Sequence, residues 1–241
     1  MSPEPGLLAD TVTFSWVDGP GNRYVLFLQG CNFDCTGCHN PHTIPLATPR
    51  ARVVTVPEVL DDIGRVHRFL AGLTVSGGEA TLQPDFVHAL FAAIKADPEL
   101  SHLTTFVDSN GSAPIEVWDR LIPVTDGVMV DIKAFDDRVH HRLTGESNAP
   151  VLTSIRHLAT SGRLYEVRLL LVPGINDAPA QLRRTAEWLL EVDPAVRVRV
   201  IGFRPHGVRA AAREWPEATA DQRAQWQSAL ESSGVRDLVL V

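Results

Sequence analysis

The sequence predicts an α/β chain on a parallel sheet: a partial (β/α)6 barrel, followed by a C-terminal helix and strand extension. Two observations predict it. Apolar, strand-like runs alternate with segments whose apolar residues recur at helical spacing, giving about six such units before the tail. Polar motifs then fall at or just after the C-terminal end of each predicted strand: the cysteine loop, Gly77-Gly78-Glu79, Asp108-Ser109-Asn110-Gly111, Asp131-Ile132-Lys133, Pro173-Gly174 and Arg204-Pro205-His206. That end is where such a barrel carries its chemistry. Turns alone would supply Gly and Pro there, but not so many charged groups.

Met1 to Asp10 reads as a loose terminus. Arg23 to Gln29 is a strong apolar run and reads as a buried strand leading into the cysteine loop. Val59, Leu60, Ile63, Val66 and Leu70 keep helical spacing over Pro57 to Leu70, and Pro57 suits a first helical turn. Leu73 to Ser76 is a strand, and Pro84 to Lys95 is helical by the spacing of Phe86, Val87, Leu90, Phe91 and Ile94. Strand, helix and strand follow at Leu103 to Asp108, Ile115 to Leu121 and Gly127 to Lys133. Helical stretches lie near Asp137 to Leu143 and at Val151 to Thr160, the latter closed by Gly162. Tyr165 to Val172 is a strand ended by Pro173-Gly174, Gln181 to Glu191 a helix, and Val196 to Phe203 the last strand of the core. The tail holds a helix at Asp221 to Leu230 and a strand at Asp237 to Val241.

The 241 residues suit one domain, 1–241, with a core at about 17–206 and an extension at about 207–241. At 44% hydrophobic and 21% charged this is an ordinary soluble composition with enough apolar residues for a core. A net charge of −7 argues against nucleic acid as an electrostatic partner. No apolar run is long enough to span a bilayer, and the opening MSPEPGLLAD does not read as a signal peptide. A cytoplasmic location, where thiols stay reduced and can bind metal, is expected.

All three cysteines, Cys31, Cys35 and Cys38, lie between Gly30 and Asn40 with the spacing C-x-x-x-C-x-x-C. Iron–sulfur clusters are normally held by four thiolates. Three thiolates on one loop leave one iron open to a substrate or cofactor, as the open position does in catalytic metal sites. The alternatives are inert buried thiols, a disulfide with one thiol left over, and a Cys3His zinc site using His39. Met129, Asp131 and Lys133 alternate along one predicted strand and share a face, opposite Val128, Val130 and Ile132. A carboxylate and an ammonium facing a barrel interior must pair or bind a ligand. Lys133 is one of only two lysines, with Lys95. Arg168 shares a face with Leu170 and Val172; it either serves a ligand or pairs with a carboxylate.

These residues carry a resemblance. The cysteine motif after a hydrophobic strand resembles the signature of radical S-adenosylmethionine (SAM) enzymes. The run VDGPGNRYVLFLQGCNFDCTGCHNP, Val17 to Pro41, resembles the glycyl-radical-enzyme activases, and the pyruvate formate-lyase activating enzymes in particular. The likeness continues through SGGEATLQPDF, VDSNG, MVDIK, the LTG of Leu143 to Gly145, and LLVPGIND, as far as about His206.

The resemblance implies the TIM-like partial barrel and one 4Fe–4S cluster on Cys31, Cys35 and Cys38, whose fourth iron binds SAM. One electron from the cluster then yields a 5′-deoxyadenosyl radical that takes a hydrogen atom from a glycine of a partner glycyl radical enzyme. It implies SAM-binding roles for Gly77, Gly78, Glu79, Asp131, Lys133, Arg168 and His206, with His39 and Asn40 close to cluster and SAM. A monovalent cation is expected on Asp108, Ser109, the Met129 backbone and Asp131, a set of oxygen donors suited to a hard cation. Ser109 stands where the family has Thr, and Arg204-Pro205-His206 replaces the usual Pro-Tyr-His. Asp18 and Arg23, in the D-G-P-G-N-R run, are the expected substrate contacts. Gly37 replaces the aromatic residue that many members carry before the third cysteine. Arg197 and Arg199 alternate on the last core strand and either pair with acidic neighbours or face an opening for a protein substrate, which the Arg204 to Pro216 segment is expected to border. A flavodoxin or ferredoxin electron donor and a monomeric state are expected. The rival functions are a radical SAM enzyme acting on a small molecule or peptide, and a non-catalytic iron–sulfur or zinc module.

Overall fold

The computed structural model describes residues 4–241, and these form nine strands and seven α-helices. The strands are β1 (Gly6–Ser15), β2 (Arg23–Leu28), β3 (Arg52–Val54), β4 (Gly72–Gly77), β5 (Thr104–Ser109), β6 (Gly127–Ile132), β7 (Leu164–Leu171), β8 (Arg197–Gly202) and β9 (Asp237–Leu240). The helices are α1 (Val56–Gly64), α2 (Pro84–Ala96), α3 (Ile115–Leu121), α4 (Asp137–Thr144), α5 (Ala149–Thr160), α6 (Pro179–Val192) and α7 (Ala220–Ser232). The strand order is β3-β1-β2-β4-β5-β6-β7-β8-β9, with β3 and β9 as edges, so the parallel-dominated sheet is open. The expected fold class is the one found.

The chain divides into two compact units. One comprises Met1–Asn32, His42–Ser109 and Ala113–Met129; the other comprises Phe33–Pro41, Asn110–Ser112 and Val130–Val241. In the first, β2, β4 and β5 run parallel, in the register Arg23 to Gly72 to Thr104. β2 is buried along nearly its whole length, which explains its unbroken apolar run. α1 begins at a capping box: Thr55 and Glu58 satisfy each other's backbone N–H groups, and Pro57 occupies the first turn. The helical spacing predicted to reach Leu70 stops at Gly64; His67–Phe69 is a separate 3-10 turn. Glycine is a poor helix residue, and the apolar spacing alone did not register that.

β1 corrects the expectation of a loose terminus at Met1 to Asp10. Met1 to Pro3 lie outside the described residues, but Gly6–Ser15 is a ten-residue strand, antiparallel to β2 and β3. Its own Leu8 is buried, and the Gln83 side chain bonds both the N–H and the carbonyl of Leu7, at 2.7 and 3.0 Å. The reason is pairing: without β1, the flank of β2 would expose a row of unpaired backbone groups.

In the second unit β7, β8 and β9 are parallel, with Arg168 opposite Arg199 and Val200 opposite Leu240. α7 and β9 form the expected extension, and Trp226 and Leu230 of α7 are buried. Among the described residues no helix is long and apolar enough to cross a membrane.

Candidate metal and cofactor site

In the first unit the C-terminal ends of β2, β4 and β5 bring their motifs together. Gly77 has a positive φ of 124°, and a Cβ there would lie 2.2 Å from the Leu28 backbone. A Cβ on Gly78 would lie 2.1 Å from the Gly30 carbonyl oxygen. Both glycines are therefore required by the chain's own main chain at the start of the cysteine loop, where Gly78 and Glu79 donate to Leu28 and Gly30. Glu79 is fully buried and caps the turn Ala80–Leu82. Its Oε1 accepts from the Thr81 N–H (3.0 Å), the Thr81 hydroxyl (2.6 Å) and the Ser109 hydroxyl (2.8 Å). Asp108 accepts from the Ser76 hydroxyl at 3.0 Å. Met129 is buried on β6. Cys31 is half-buried, and its N–H donates to Ile44.

Asp18 and Arg23 lie elsewhere in this unit. Arg23 is at the N-terminal end of β2, whereas the cysteine loop leaves the C-terminal end. It is fully buried, and its guanidinium donates to Thr74, Pro20, Leu73 and Thr104 while stacking on the Phe106 ring at 4.5 Å. The Asp18 carboxylate accepts from Ser15, and its carbonyl accepts from Thr74. The D-G-P-G-N-R turn is thus bound into the fold's own hydrogen bonding, because a buried guanidinium must have its donors satisfied.

In the second unit lie Cys35 and Cys38, half-buried and, like Cys31, not in a disulfide. The arm that carries them is held by distant segments. The N–H groups of Asp34 and Thr36 donate to the carbonyls of Thr144 and Leu143, at the C-terminal end of α4. Those carbonyls have no partner within their own helix, so loop and helix end satisfy each other. His140 of α4 is buried, meets Phe33 edge to face at 5.7 Å, and bonds the Glu146 carbonyl. This gives the LTG of Leu143 to Gly145 a physical task that the sequence did not reveal.

From the other direction comes the segment after β8. His39 donates from Nε2 to the Arg204 carbonyl at 3.0 Å. Arg209 pairs with the Asp34 carboxylate at 2.7 Å and donates to the carbonyls of Asp34 and Cys35. A Cβ on Gly37 would meet the Trp215 ring at 2.9 Å and Phe203 at 3.4 Å. An aromatic side chain from residue 215 thus occupies the space beside residue 37. The Arg204 to Pro216 segment packs against the cysteine arm, with Val208 and Ala212 in a core cluster with Val172 and Phe203. His206 and Asn40 are exposed.

Asp131 and Lys133 form an ion pair of 2.6 Å, the internal pairing that the sequence left open. Burial alone would lower the Lys133 pKa, but Asp131 and the Cys35 sulfur outweigh it and hold the ammonium above its ordinary value. Burial pushes the Cys35 thiol up to about 11 and raises Cys38 as well, against the pull of Lys133 and Arg209. Burial thus favours the protonated form of Cys35 and Cys38 in the metal-free protein, and a metal must displace those protons on binding. Asn176, not singled out from the sequence, is buried in the turn that follows β7 and donates to the Lys133 and Leu170 carbonyls at 2.6 and 2.7 Å. It fixes the backbone from which Lys133 projects.

Arg168 pairs with the fully buried Glu166 at 2.9 Å, and Arg197 of β8 pairs with the same carboxylate at 3.2 Å. Arg199 Nε stands 2.8 Å from Glu166 Oε1, off the hydrogen-bonding direction. The structural pairing weighed for Arg197 and Arg199 is what β7 and β8 show. Among the described residues, no group of three or more His, Cys, Asp or Glu side chains is gathered as a mononuclear ion would need. The donor set of three free, half-buried thiols on one loop fits an iron–sulfur cluster, which spreads its thiolates over several irons.

Comparison with known proteins gives a concordant picture. Residues 25–189 match the model of the radical SAM superfamily. The pyruvate formate-lyase-activating enzyme of Streptococcus mutans serotype c is 36% identical over 207 residues, which are 84% of this chain and 79% of that protein. The enzyme of the same name from Staphylococcus epidermidis is 34% identical over 209 residues, 84% of this chain and 83% of that one. Among solved structures, QueE from Escherichia coli superposes with a TM-score of 0.63 at 14% identity, covering 98% of this chain and 94% of that one. A domain of the pyruvate-formate lyase-activating enzyme from Bacteroides vulgatus gives 0.59 at 21% identity, covering 71% and 99%. At such identities the structural likeness speaks for the fold.

Proposed function

The chain belongs to the radical SAM superfamily and, within it, to the family of the pyruvate formate-lyase-activating enzymes, and on that premise we propose that it installs a radical on a backbone glycine of a partner glycyl radical enzyme. The observation that carries the reading is the intact three-cysteine loop in a chain 34–36% identical to activating enzymes over 84% of its length. The family implies a 4Fe–4S cluster and SAM. Bound, the cluster would supply one electron to SAM, giving methionine and a 5′-deoxyadenosyl radical that takes the glycine's hydrogen atom and leaves as 5′-deoxyadenosine.

The chain's own residues would bind and orient. Cys31, Cys35 and Cys38 are the proposed cluster ligands, leaving one iron for the amino and carboxylate groups of SAM. Gly77, Gly78, Glu79, Asp131, Lys133 and Arg168 are the proposed SAM contacts, with His39, Asn40 and His206 alongside. Ser109 would steady the Glu79 carboxylate and, with Asp108, the Met129 carbonyl and Asp131, offer oxygen donors to a monovalent cation. Residues 1–241 are proposed to act as one domain, as a cytoplasmic monomer, reduced by a flavodoxin or ferredoxin.

The test incubates anaerobically loaded, reduced protein and SAM with glycyl-radical proteins encoded in the same genome. A glycyl radical signal in electron paramagnetic resonance, with matching 5′-deoxyadenosine, is expected. No signal with any of them, alongside hydrogen abstraction from a purified metabolite or peptide, would overturn the activase reading and leave SAM cleavage standing.

A further inference from the structure

Arg209 stands out once the cysteine loop is assigned. It lies far from that loop in sequence, and neither a composition nor a motif marks it. Its guanidinium nevertheless reaches three acceptors there: the Asp34 carboxylate and the carbonyls of Asp34 and Cys35. The side chain is 31% exposed and Asp34 is 73% exposed, so the positive end is turned toward the loop and the negative partner toward solvent. The fork is anchored from behind. Val208 and Ala212, on either side of Arg209, are buried in the cluster of Val172 and Phe203, and the Trp215 ring fills the space beside Gly37. A guanidinium so placed offers a fixed charge and one hydrogen bond to the backbone of the proposed ligand Cys35, with a second to its neighbour Asp34, and charge and hydrogen bonding are both known levers on a metal centre.

We infer that Arg209 is a positioning residue that sets the reduction potential of the cluster on this loop, with Asp34 as its counterweight. The inference rests on the three-cysteine ligation proposed above. Reduction adds one negative charge to the cluster, so a nearby cation favours the reduced form and a nearby anion disfavours it. The pair balances the two. Removing Arg209 leaves the Asp34 carboxylate alone and makes reduction harder; removing the charge of Asp34 leaves the guanidinium alone and makes it easier. The greater burial of the guanidinium makes the first effect the larger.

The experiment uses the full chain, loaded anaerobically, with iron content measured and the potential read by mediated titration followed by electron paramagnetic resonance. Arg209→Gln is expected to shift the reduction equilibrium about threefold to tenfold toward the oxidised form, up to about 59 mV for one electron. Asp34→Asn is expected to shift it a smaller amount the other way. The double variant should return toward the parent value, and Arg209→Lys, which keeps the charge, should stay near it. A loss of packing alone would not produce opposite signs that cancel. Should Arg209→Gln fail to hold iron, the sign of the Asp34→Asn shift decides the matter. An unmoved potential in Asp34→Asn and in any iron-loaded Arg209→Gln, in a parent protein that does hold the cluster, overturns this inference alone. A parent that takes up no cluster overturns the ligation reading, and this inference with it.

Discussion

Glu79 and the Cys35–Cys38 arm belong to comparable places, loops that follow β4 and β2, yet they are held in different ways. Glu79 is fixed by the next turn and the neighbouring strand end: Thr81, Ser109 and the Gly30 carbonyl. The cysteine arm is fixed by Leu143, Thr144, Arg204, Arg209 and Trp215, all more than 100 residues further along. Strand register is enough to assemble the first arrangement. The second requires two later segments to fold back onto the loop. A loop held from outside takes its shape from residues that no motif contains.

The largest expected effect tests whether the remotely held arm carries the chemistry. Replacing Cys31, Cys35 or Cys38 by Ala should each remove stable binding of about four irons and abolish SAM cleavage, assayed as iron content and 5′-deoxyadenosine after reduction. Normal cleavage by any one variant sinks the ligand assignment.

Next in size is Gly78→Ala, which strikes the register-held arrangement. The new Cβ would stand 2.1 Å from the Gly30 carbonyl oxygen, which is backbone and cannot swing away. The cost should be about 3 kcal/mol, or a fall in Tm of about 6–12 °C for a chain of this size. An unchanged melting curve would show that the glycine pair serves only a cofactor.

Lys133→Met should cost about 1–2 kcal/mol in the metal-free protein, less than a fully buried pair because the Lys133 and Asp131 side chains are 18% and 30% exposed. SAM affinity of the loaded protein should fall by a larger factor. A clear drop in Tm with SAM binding intact would reduce the pair to a structural one.

The smallest effect is a surface control in the first unit. Burial would raise the Asp126 pKa, but hydrogen bonds from Lys95 and the Thr105 N–H hold it below its usual range. A depressed carboxylate stabilises above its unfolded pKa, and that contribution is lost as pH falls through the folded value. Lys95→Met should therefore cost about 0.5 kcal/mol near neutral pH, and urea unfolding should show the gap closing toward pH 3. A gap that persists in acid would assign it to packing rather than charge.

The order of strands and helices was legible because each has its own period of apolar residues, and the strand-end motifs were legible because they are continuous in sequence. What escaped was what local pattern does not encode. β1 escaped because a Pro- and Gly-bearing start hid its alternation, and only the open flank of β2 demanded it. Arg23 looked like a substrate contact in a motif, but lies buried among backbone carbonyls at the other end of its strand.

The sequence by itself determined the chemistry: three thiols at C-x-x-x-C-x-x-C and the carboxylate, hydroxyl and ammonium groups at strand ends. Residue identity sets donor type, and short spacing keeps the three thiols on one loop whatever surrounds it. Only the tertiary structure decided which side chains support that chemistry. Arg209, Trp215, Asn176 and the carbonyls of Leu143 and Thr144 act through contacts between segments far apart in the chain. The satisfaction of buried polar groups and the filling of space depend on where a segment ends in three dimensions, and no local run of residues records that.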